Sequence, residues 1–267
     1  MDPATLARLE HENLIETFTD GVANAPGSLV WRRDGVVLLA SGLPIRFFNQ
    51  VLIESGDAAP EAIEAAVGAM RERGQPFVVH LRRRTDDRFR THAEALGLVL
   101  PPDASPMPGM ALHPIPPADA SIPTGHEIRR VDDQAGMDDH IRTGALGFGM
   151  PEDMLRAIVA PDTWLRPGNA VYVGYTDGQP VTTGLGARTG TTIGVYNIAT
   201  VERARRQGLG AAITVRVAAD GAAAGCDVAI LQASPMGFPI YERLGYRTVV
   251  EYDGWIEPED GPAAGSA

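Results

Sequence analysis

Hydrophobic positions along this chain alternate between strand-like runs and stretches with helical period, and the same order occurs twice. In the first half, residues 47–52 read as a strand, with a helix from about Pro60 to Arg73 behind it. A strand at residues 77–81 and a helix from Asp87 to Leu96, stopped by Gly97, follow. In the second half the strand is at residues 195–199, the helix runs from about Leu209 to Ala224, and the next strand covers residues 228–231. A last helix starts near Phe238 and ends at Gly245. Asn49 matches Asn197, and Leu96-Gly97-Leu98 matches Leu244-Gly245-Tyr246, at equal spacing. This weak repeat predicts two related α/β domains rather than one continuous domain.

A proline-dense stretch runs from Pro101 to Gly125, which predicts loops or a linker. We place the boundary at about residue 122, giving domains of residues 1–122 and 123–267, with residues 110–113 as a short closing strand for the first. The second domain opens with a strand at residues 127–131. Asp132-Asp133 then offers a cap for a helix bearing Met137, Ile141 and Leu146. A second helix follows Met150-Pro151, where proline suits a first turn. Residues 170–175 and 181–186 form a hairpin across Thr176-Asp177-Gly178.

With 44% hydrophobic and 21% charged residues, the 267-residue chain has the composition of a soluble globular protein. A net charge of −11 argues against nucleic acid or an anionic membrane as partner, because both need a basic footprint. The single cysteine, Cys226, rules out an internal disulfide and a four-cysteine zinc site. Residues 1–10 are charged and unlike a signal peptide, and no segment is apolar enough to span a bilayer, so a cytoplasmic location is expected.

Candidate chemistry concentrates in Thr200-Val201-Glu202-Arg203-Ala204-Arg205-Arg206-Gln207-Gly208-Leu209-Gly210-Ala211-Ala212, where a strand enters and a helix leaves. Leu209, Ala212, Ile213 and Val217 share one helix face, which packs it on the sheet. Glycines at a helix N-terminus let an anionic ligand reach free N–H groups. Arg203, Arg205 and Arg206 crowd the positive end of the helix dipole, a placement that a bound anion relieves. The loop lacks the third glycine of a dinucleotide fingerprint and the Lys-Ser/Thr of a Walker loop.

Arg205-x-x-Gly208-x-Gly210 after a strand resembles the pyrophosphate-binding motif of the GCN5-related N-acetyltransferase (GNAT) superfamily. Leu231-Gln232-Ala233-Ser234 and Ile240-Tyr241-Glu242-Arg243-Leu244-Gly245-Tyr246 are similar to that family's next strand and last helix. The resemblance spans about residues 127–255. It implies an α/β (α+β) fold with two GNAT-like domains. Each would be a mixed, mostly antiparallel sheet flanked by helices, its parallel strand pair splayed around an acyl-CoA. The strand before the loop is expected to bulge.

The resemblance also implies an acetyl-CoA-dependent N-acetyltransferase working by direct attack of a neutral primary amine on the thioester. Main-chain groups at Ala199, Thr200 and Val201 would bind pantetheine and the thioester carbonyl. After Arg205, the N–H groups of Arg206, Gln207, Gly208, Leu209, Gly210 and Ala211 would hold the pyrophosphate. Tyr241 matches the family's general acid for the leaving thiolate. Ser234 contacts the cofactor or stabilises a turn before Pro235. Asn197 bonds a substrate or satisfies the bulged backbone.

No general base is visible. Glu202 reads as a surface charge, and Glu251 and Asp253 as strand-end positions. His126 and His140 lack ligand spacing, so no metal is expected. At the place of the glycine loop the first half has Glu54-Ser55-Gly56-Asp57, and at the place of Tyr241 it has Thr91-His92-Ala93. It therefore reads as a degenerate, non-catalytic copy. The acceptor, a small-molecule or peptide amine, and the acyl chain length stay open, as does a homodimer. Rival readings are a silent acyl-CoA-binding regulator and a tandem interaction module.

Overall fold

Every strand and helix expected from the periodicity forms. The computed structural model describes residues 1–117 and 122–258; residues 118–121, inside the proline-dense stretch, lie outside it. In chain order come α1 (Pro3–Val22), β1 (Leu29–Arg33), β2 (Val36–Ala40), β3 (Asn49–Ile53), α2 (Pro60–Arg73), β4 (Val78–Arg82) and α3 (Arg90–Ala95). Next are β5 (Met107–Leu112), β6 (His126–Val131), α4 (Gln134–Phe148), α5 (Glu152–Ile158), α6 (Pro161–Trp164) and β7 (Ala170–Thr176). Last come β8 (Gln179–Thr189), β9 (Thr192–Thr200), α7 (Leu209–Ala223), β10 (Val228–Gln232), α8 (Phe238–Arg243) and β11 (Arg247–Trp255). The periodicity reading contained no counterpart of α1, β1, β2 or α6. For α1 a start signal was present: the Asp2 carboxylate accepts the Thr5 N–H at 3.0 Å, and a proline opens the helix.

Two compact units share the chain. One holds Met1–Pro26 and Pro108–Val250; the other holds Gly27–Met107 and the segment that begins at Glu251. Each unit draws on two separated stretches, where a boundary at residue 122 supposes consecutive ones. Strand pairing is the cause. The strand expected to close the first half, β5, pairs antiparallel with β10, with Leu112 opposite Ala229 and Gly109 opposite Gln232. The end of β11 pairs antiparallel with β4, with Tyr252 opposite Arg82. A period-two pattern specifies which face of a strand is buried and leaves its neighbour unspecified.

In the larger unit the strand order is β5-β10-β9-β8-β7-β6, and only β9 and β10 run parallel. Alternate side chains serve opposite faces. Val171, Val173 and Leu185 pack with Met137 and Ile141 of α4. Tyr172, Ile193, Val195, Ala229 and Leu231 pack with Ile213 and Val217 of α7. The buried face of α7 contains the expected stripe of Leu209, Ala212, Ile213 and Val217. Each large apolar side chain in it contributes roughly 1.5–3 kcal/mol by leaving water. Tyr172 fixes the far end of α7 by donating to Asp220 at 2.5 Å.

The smaller unit has the order β1-β2-β3-β4-β11, with β3 and β4 its parallel pair. Its core includes Leu38, Val51, Ile53, Ile63, Val67, Met70, Phe77, Leu81 and Trp255. Both units are thus mixed, mostly antiparallel sheets with a single helix-bridged parallel pair, the fold class expected.

The sequence landmarks fare differently. Leu98 N–H donates to Ala93 O at 3.0 Å, and Tyr246 N–H donates to Tyr241 O at 3.0 Å. The ends of α3 and α8 are therefore equivalent, which sets Ala93 in the position of Tyr241. Asn49 and Asn197 are not equivalent. Asn49 opens β3, and its buried side chain ties down Ser41, Leu43 and Pro76. Asn197 lies late in β9 with left-handed backbone at φ 50°.

Candidate functional site

Two irregularities shape the end of β9. Against β8, Thr183 faces Ala199 and Leu185 faces Tyr196, so Gly184 alone opposes Asn197 and Ile198. That is a β-bulge, and the left-handed Asn197 absorbs the extra residue. The Thr183 hydroxyl donates to the Asn197 carbonyl at 2.7 Å and holds the bulge shut. Against β10, the parallel pairing covers only Thr192, Ile193 and Gly194, opposite Val228, Ala229 and Ile230. Beyond these residues the two strands carry on without pairing. The expected bulge and splay are both present.

Around the expected pantetheine contacts, part of the main chain is already engaged. The Ala199 carbonyl accepts the Thr182 hydroxyl at 2.8 Å, and the Val201 N–H donates to Val181 O at 3.0 Å. A 3-10 turn at Glu202–Ala204 then leads into the glycine loop. Arg206, at φ 62°, and Gly208, at φ 81°, are both left-handed, and Gly208 caps α7 without any side-chain hydrogen bond. A bulky residue in that region costs of order 1 kcal/mol, and such turns form anion-binding concavities of main-chain N–H groups. No acidic residue stands in the first turn of α7. Among the described residues, no acceptor takes the N–H groups of Arg206, Gln207, Gly208, Leu209, Gly210 or Ala211. Helix α7 is long enough for its dipole to reinforce those donors.

The arginines divide in role. Arg205 Nε donates to the Thr200 carbonyl at 3.2 Å and Nη2 to the Gly147 carbonyl at 3.1 Å. Arg203 reaches the Pro180 carbonyl at 3.5 Å. Arg206 is exposed and forms no ion pair among the described residues.

Tyr241 is 9% exposed, edge-on to Tyr246 with ring centroids 6.1 Å apart. Burial pushes its hydroxyl up to about 12, so it stays protonated through the physiological range. Ser234 Oγ accepts the Gly237 N–H at 3.2 Å, the turn-stabilising bond that was one of its two readings. Glu202 is exposed. Asp253 is buried and held by Arg83 at 2.8 Å and by Arg90, in the smaller unit. His140 is buried with Nδ1 3.1 Å from the Tyr172 carbonyl, and burial pushes it down to about 4. His126 Nδ1 lies 2.6 Å from Thr176 Oγ1. No cluster of three potential metal ligands exists among the described residues.

One polar group escaped the sequence reading. Glu10, Asn13 and Thr17 of α1 are buried in the larger unit. Gln232 of β10 donates to Glu10 at 2.6 Å, and the Tyr196 hydroxyl of β9 donates to Asn13 at 2.8 Å. A hydrophobic-stripe search passes over such a helix, because Glu10, Asn13 and Thr17 interrupt the apolar residues of its buried face. The start signal at Asp2-Pro3 was the available clue.

Neither protein-family models nor curated protein sequences match this chain. Solved structures do. A GCN5-related N-acetyltransferase from Kribbella flavida superposes with TM-score 0.70 at 17% identity, covering 95% of this chain and 97% of its own. One from Sphaerobacter thermophilus gives TM-score 0.63 at 14% identity, with 96% and 93% covered. A tandem GNAT protein from the clavulanic acid biosynthesis pathway gives 0.62 at 12% identity, with 96% of each chain covered. Among the described residues, no helix is long and apolar enough to cross a membrane. With its bulged β9, its parted β9–β10 pair and these full-length superpositions, the chain has the fold of the GCN5-related N-acetyltransferases.

Proposed function

We propose that this chain is an acetyl-CoA-dependent N-acetyltransferase acting on a primary amine of a small molecule or peptide. The observation that carries the reading is the row of main-chain donors from Arg206 to Ala211, beside the place where β9 and β10 part. A pyrophosphate fits donors arrayed at a helix N-terminus, and each hydrogen bond to such a charged group is worth about 1.5–3 kcal/mol. The exposed Arg206 adds a cation to the loop, and Arg205 holds the loop against Thr200.

When bound, acetyl-CoA supplies an activated acyl group as a thioester. Residues of this chain do the rest. Main-chain groups of β9 near Ala199 and Thr200 would orient the thioester carbonyl and stabilise the negative charge that develops there. Tyr241, kept protonated by burial, is the proton donor for the departing thiolate. Asn197, at the bulge, would meet the acceptor, and Ser234 would line the opposite strand's exit. The smaller unit is read as non-catalytic: Ala93 replaces the tyrosine, and its loop carries Glu54 and Asp57 where a pyrophosphate would be repelled.

Calorimetric titration with acetyl-CoA tests this, comparing the native chain with Arg206→Glu/Gly208→Asp. Binding that the double variant loses supports the cofactor site, and release of free thiol with an amine supports the enzyme. Binding without turnover of any amine would favour the rival reading, an acyl-CoA-binding regulator. Absence of heat and of thermal stabilisation in the native chain would sink both.

A further inference from the structure

Exposed apolar side chains of the larger unit border the parted strands. Apart from Met1, the large ones among its described residues are Leu146 (65% exposed), Phe148 (45%) and Met236 (72%). Leu146 and Phe148 stand on either side of Gly147 at the end of α4. Gly147 is pressed against β9: a Cβ there would lie 2.8 Å from the Ala199 Cβ and 3.2 Å from the Thr200 nitrogen. Successive helical residues are turned about 100° apart, so Leu146 and Phe148 flank the part of β9 that has left β10. Arg205 fixes this arrangement by donating to both the Gly147 and the Thr200 carbonyls.

Met236 borders the other strand. It lies in the turn that follows β10, between Ser234 and Gly237, whose side-chain to main-chain hydrogen bond is 3.2 Å long. A Cβ at Gly237 would lie 2.7 Å from the Tyr241 ring, so Met236 adjoins the residue that touches the proposed acid.

The three segments that meet at the split carry no charge. Residues 143–151 at the end of α4, 189–201 through β9 and 228–241 from β10 into α8 contain no Asp, Glu, Lys, Arg or His, although 21% of the chain is charged. Charge resumes at Glu202, where the chain enters the glycine loop. Glu10, which accepts from Gln232, is fully buried. A polycationic acceptor needs carboxylates facing it, and these segments offer none.

Resting on the transferase reading above, we infer that the acceptor is a monoamine on an apolar body, alkyl or aryl, and that Leu146, Phe148 and Met236 are the side chains that select it. The amine enters between β9 and β10, and its apolar body stays at the rim and covers these three side chains. Each methylene covered in full favours binding by roughly 4-fold. A second ammonium held there would lose hydration without gaining a partner.

The test measures free-thiol release from acetyl-CoA with propylamine, hexylamine and phenethylamine, and with hexamethylenediamine and spermidine. Native chain, Phe148→Asp and Met236→Asp are compared, with acetyl-CoA affinity, melting temperature and oligomeric state measured for each. Both replaced side chains are exposed, so the variants should fold. We expect kcat/KM of the native chain to rise ~10-fold or more from propylamine to hexylamine and phenethylamine, with hexamethylenediamine ~10-fold below hexylamine. Each Asp variant should lose ~10-fold toward phenethylamine through KM, gain toward the diamine and keep its acetyl-CoA affinity. Acetylation that is flat in chain length, or a polyamine preferred over hexylamine, overturns the inference. Folded variants with native kcat/KM for every amine also overturn it; if they are monomers of a dimeric native chain, the rim is a surface between copies. If neither variant folds, the native chain-length profile decides. A native chain that binds acetyl-CoA and acetylates no amine sinks the transferase reading itself, and this inference with it.

Discussion

Arg205 donates to the carbonyl oxygen of Thr200 at 3.2 Å, so the first arginine of the glycine motif folds back onto the strand it has just left. Its other contact is the Gly147 carbonyl at the end of α4. Arg205 braces the loop, while Arg206 stays exposed. Two variants separate these roles. Arg205→Met should lower stability by about 1 kcal/mol, a fall of roughly 2–4 °C in melting temperature. Arg206→Glu should leave the melting temperature unchanged and weaken acetyl-CoA by ~10-fold or more in calorimetry.

Gly208 carries the chain into α7 at φ 81°. Gly208→Ala forces a side chain into left-handed backbone and should cost about 1–2 kcal/mol in chemical denaturation. If the loop's N–H groups hold the cofactor, the same substitution also weakens acetyl-CoA, because the donors lose their alignment.

Tyr241→Phe should keep acetyl-CoA affinity and lower kcat by ~100-fold, the usual scale for losing a general acid. Burial pushes the Tyr241 hydroxyl up to about 12, so any transferase activity of the native chain should show no alkaline loss from this group below that pH. An alkaline limb near pH 9 to 10, in order of magnitude the range of an unperturbed tyrosine, would count against Tyr241 as the acid.

His140 titrates at about 4 in the folded chain, against an ordinary 6.5, because burial disfavours its charged form. The unfolded chain therefore binds more protons between those values. Stability from this group is fully present above pH 6.5, falls as pH drops, and levels off near pH 4. The span corresponds to about 3 kcal/mol. His80, in the smaller unit, is pushed down to about 4 by burial in the same sense. Urea unfolding across this pH range should show the loss, and His140→Gln should flatten it.

The Asn13 amide donates to Ala187 O at 3.0 Å and Thr189 Oγ1 at 3.1 Å while accepting from Tyr196. Asn13→Ala strands those buried groups and should destabilise the chain by about 2–4 kcal/mol, read from denaturant midpoints.

Local chemistry was enough to read much of this protein from its residues. The stripe Leu209, Ala212, Ile213 and Val217 foretold which side of α7 is buried, and Gly208 foretold where that helix begins. The family resemblance implied a parallel pair in each domain, and each unit has one, bridged by the helix that parallel strands require. Other features depend on partners distant in sequence. The pairing of β5 with β10 spans more than a hundred residues, and nothing in the alternation at residues 107–112 chooses that neighbour. Asn49 and Asn197 looked equivalent by spacing, yet one closes a loop and the other sits in a bulge.

The residues themselves determined most of the helices and strands and the glycine turn into α7, since periodicity, glycine and helix-end chemistry act over a few neighbouring positions. Tertiary structure alone decided that α1 belongs with β9 and β10, that Arg205 is a brace, and that Glu10 lies buried beside Gln232. Those outcomes follow from close packing between distant segments, where the environment of a polar side chain is set by whatever folds against it.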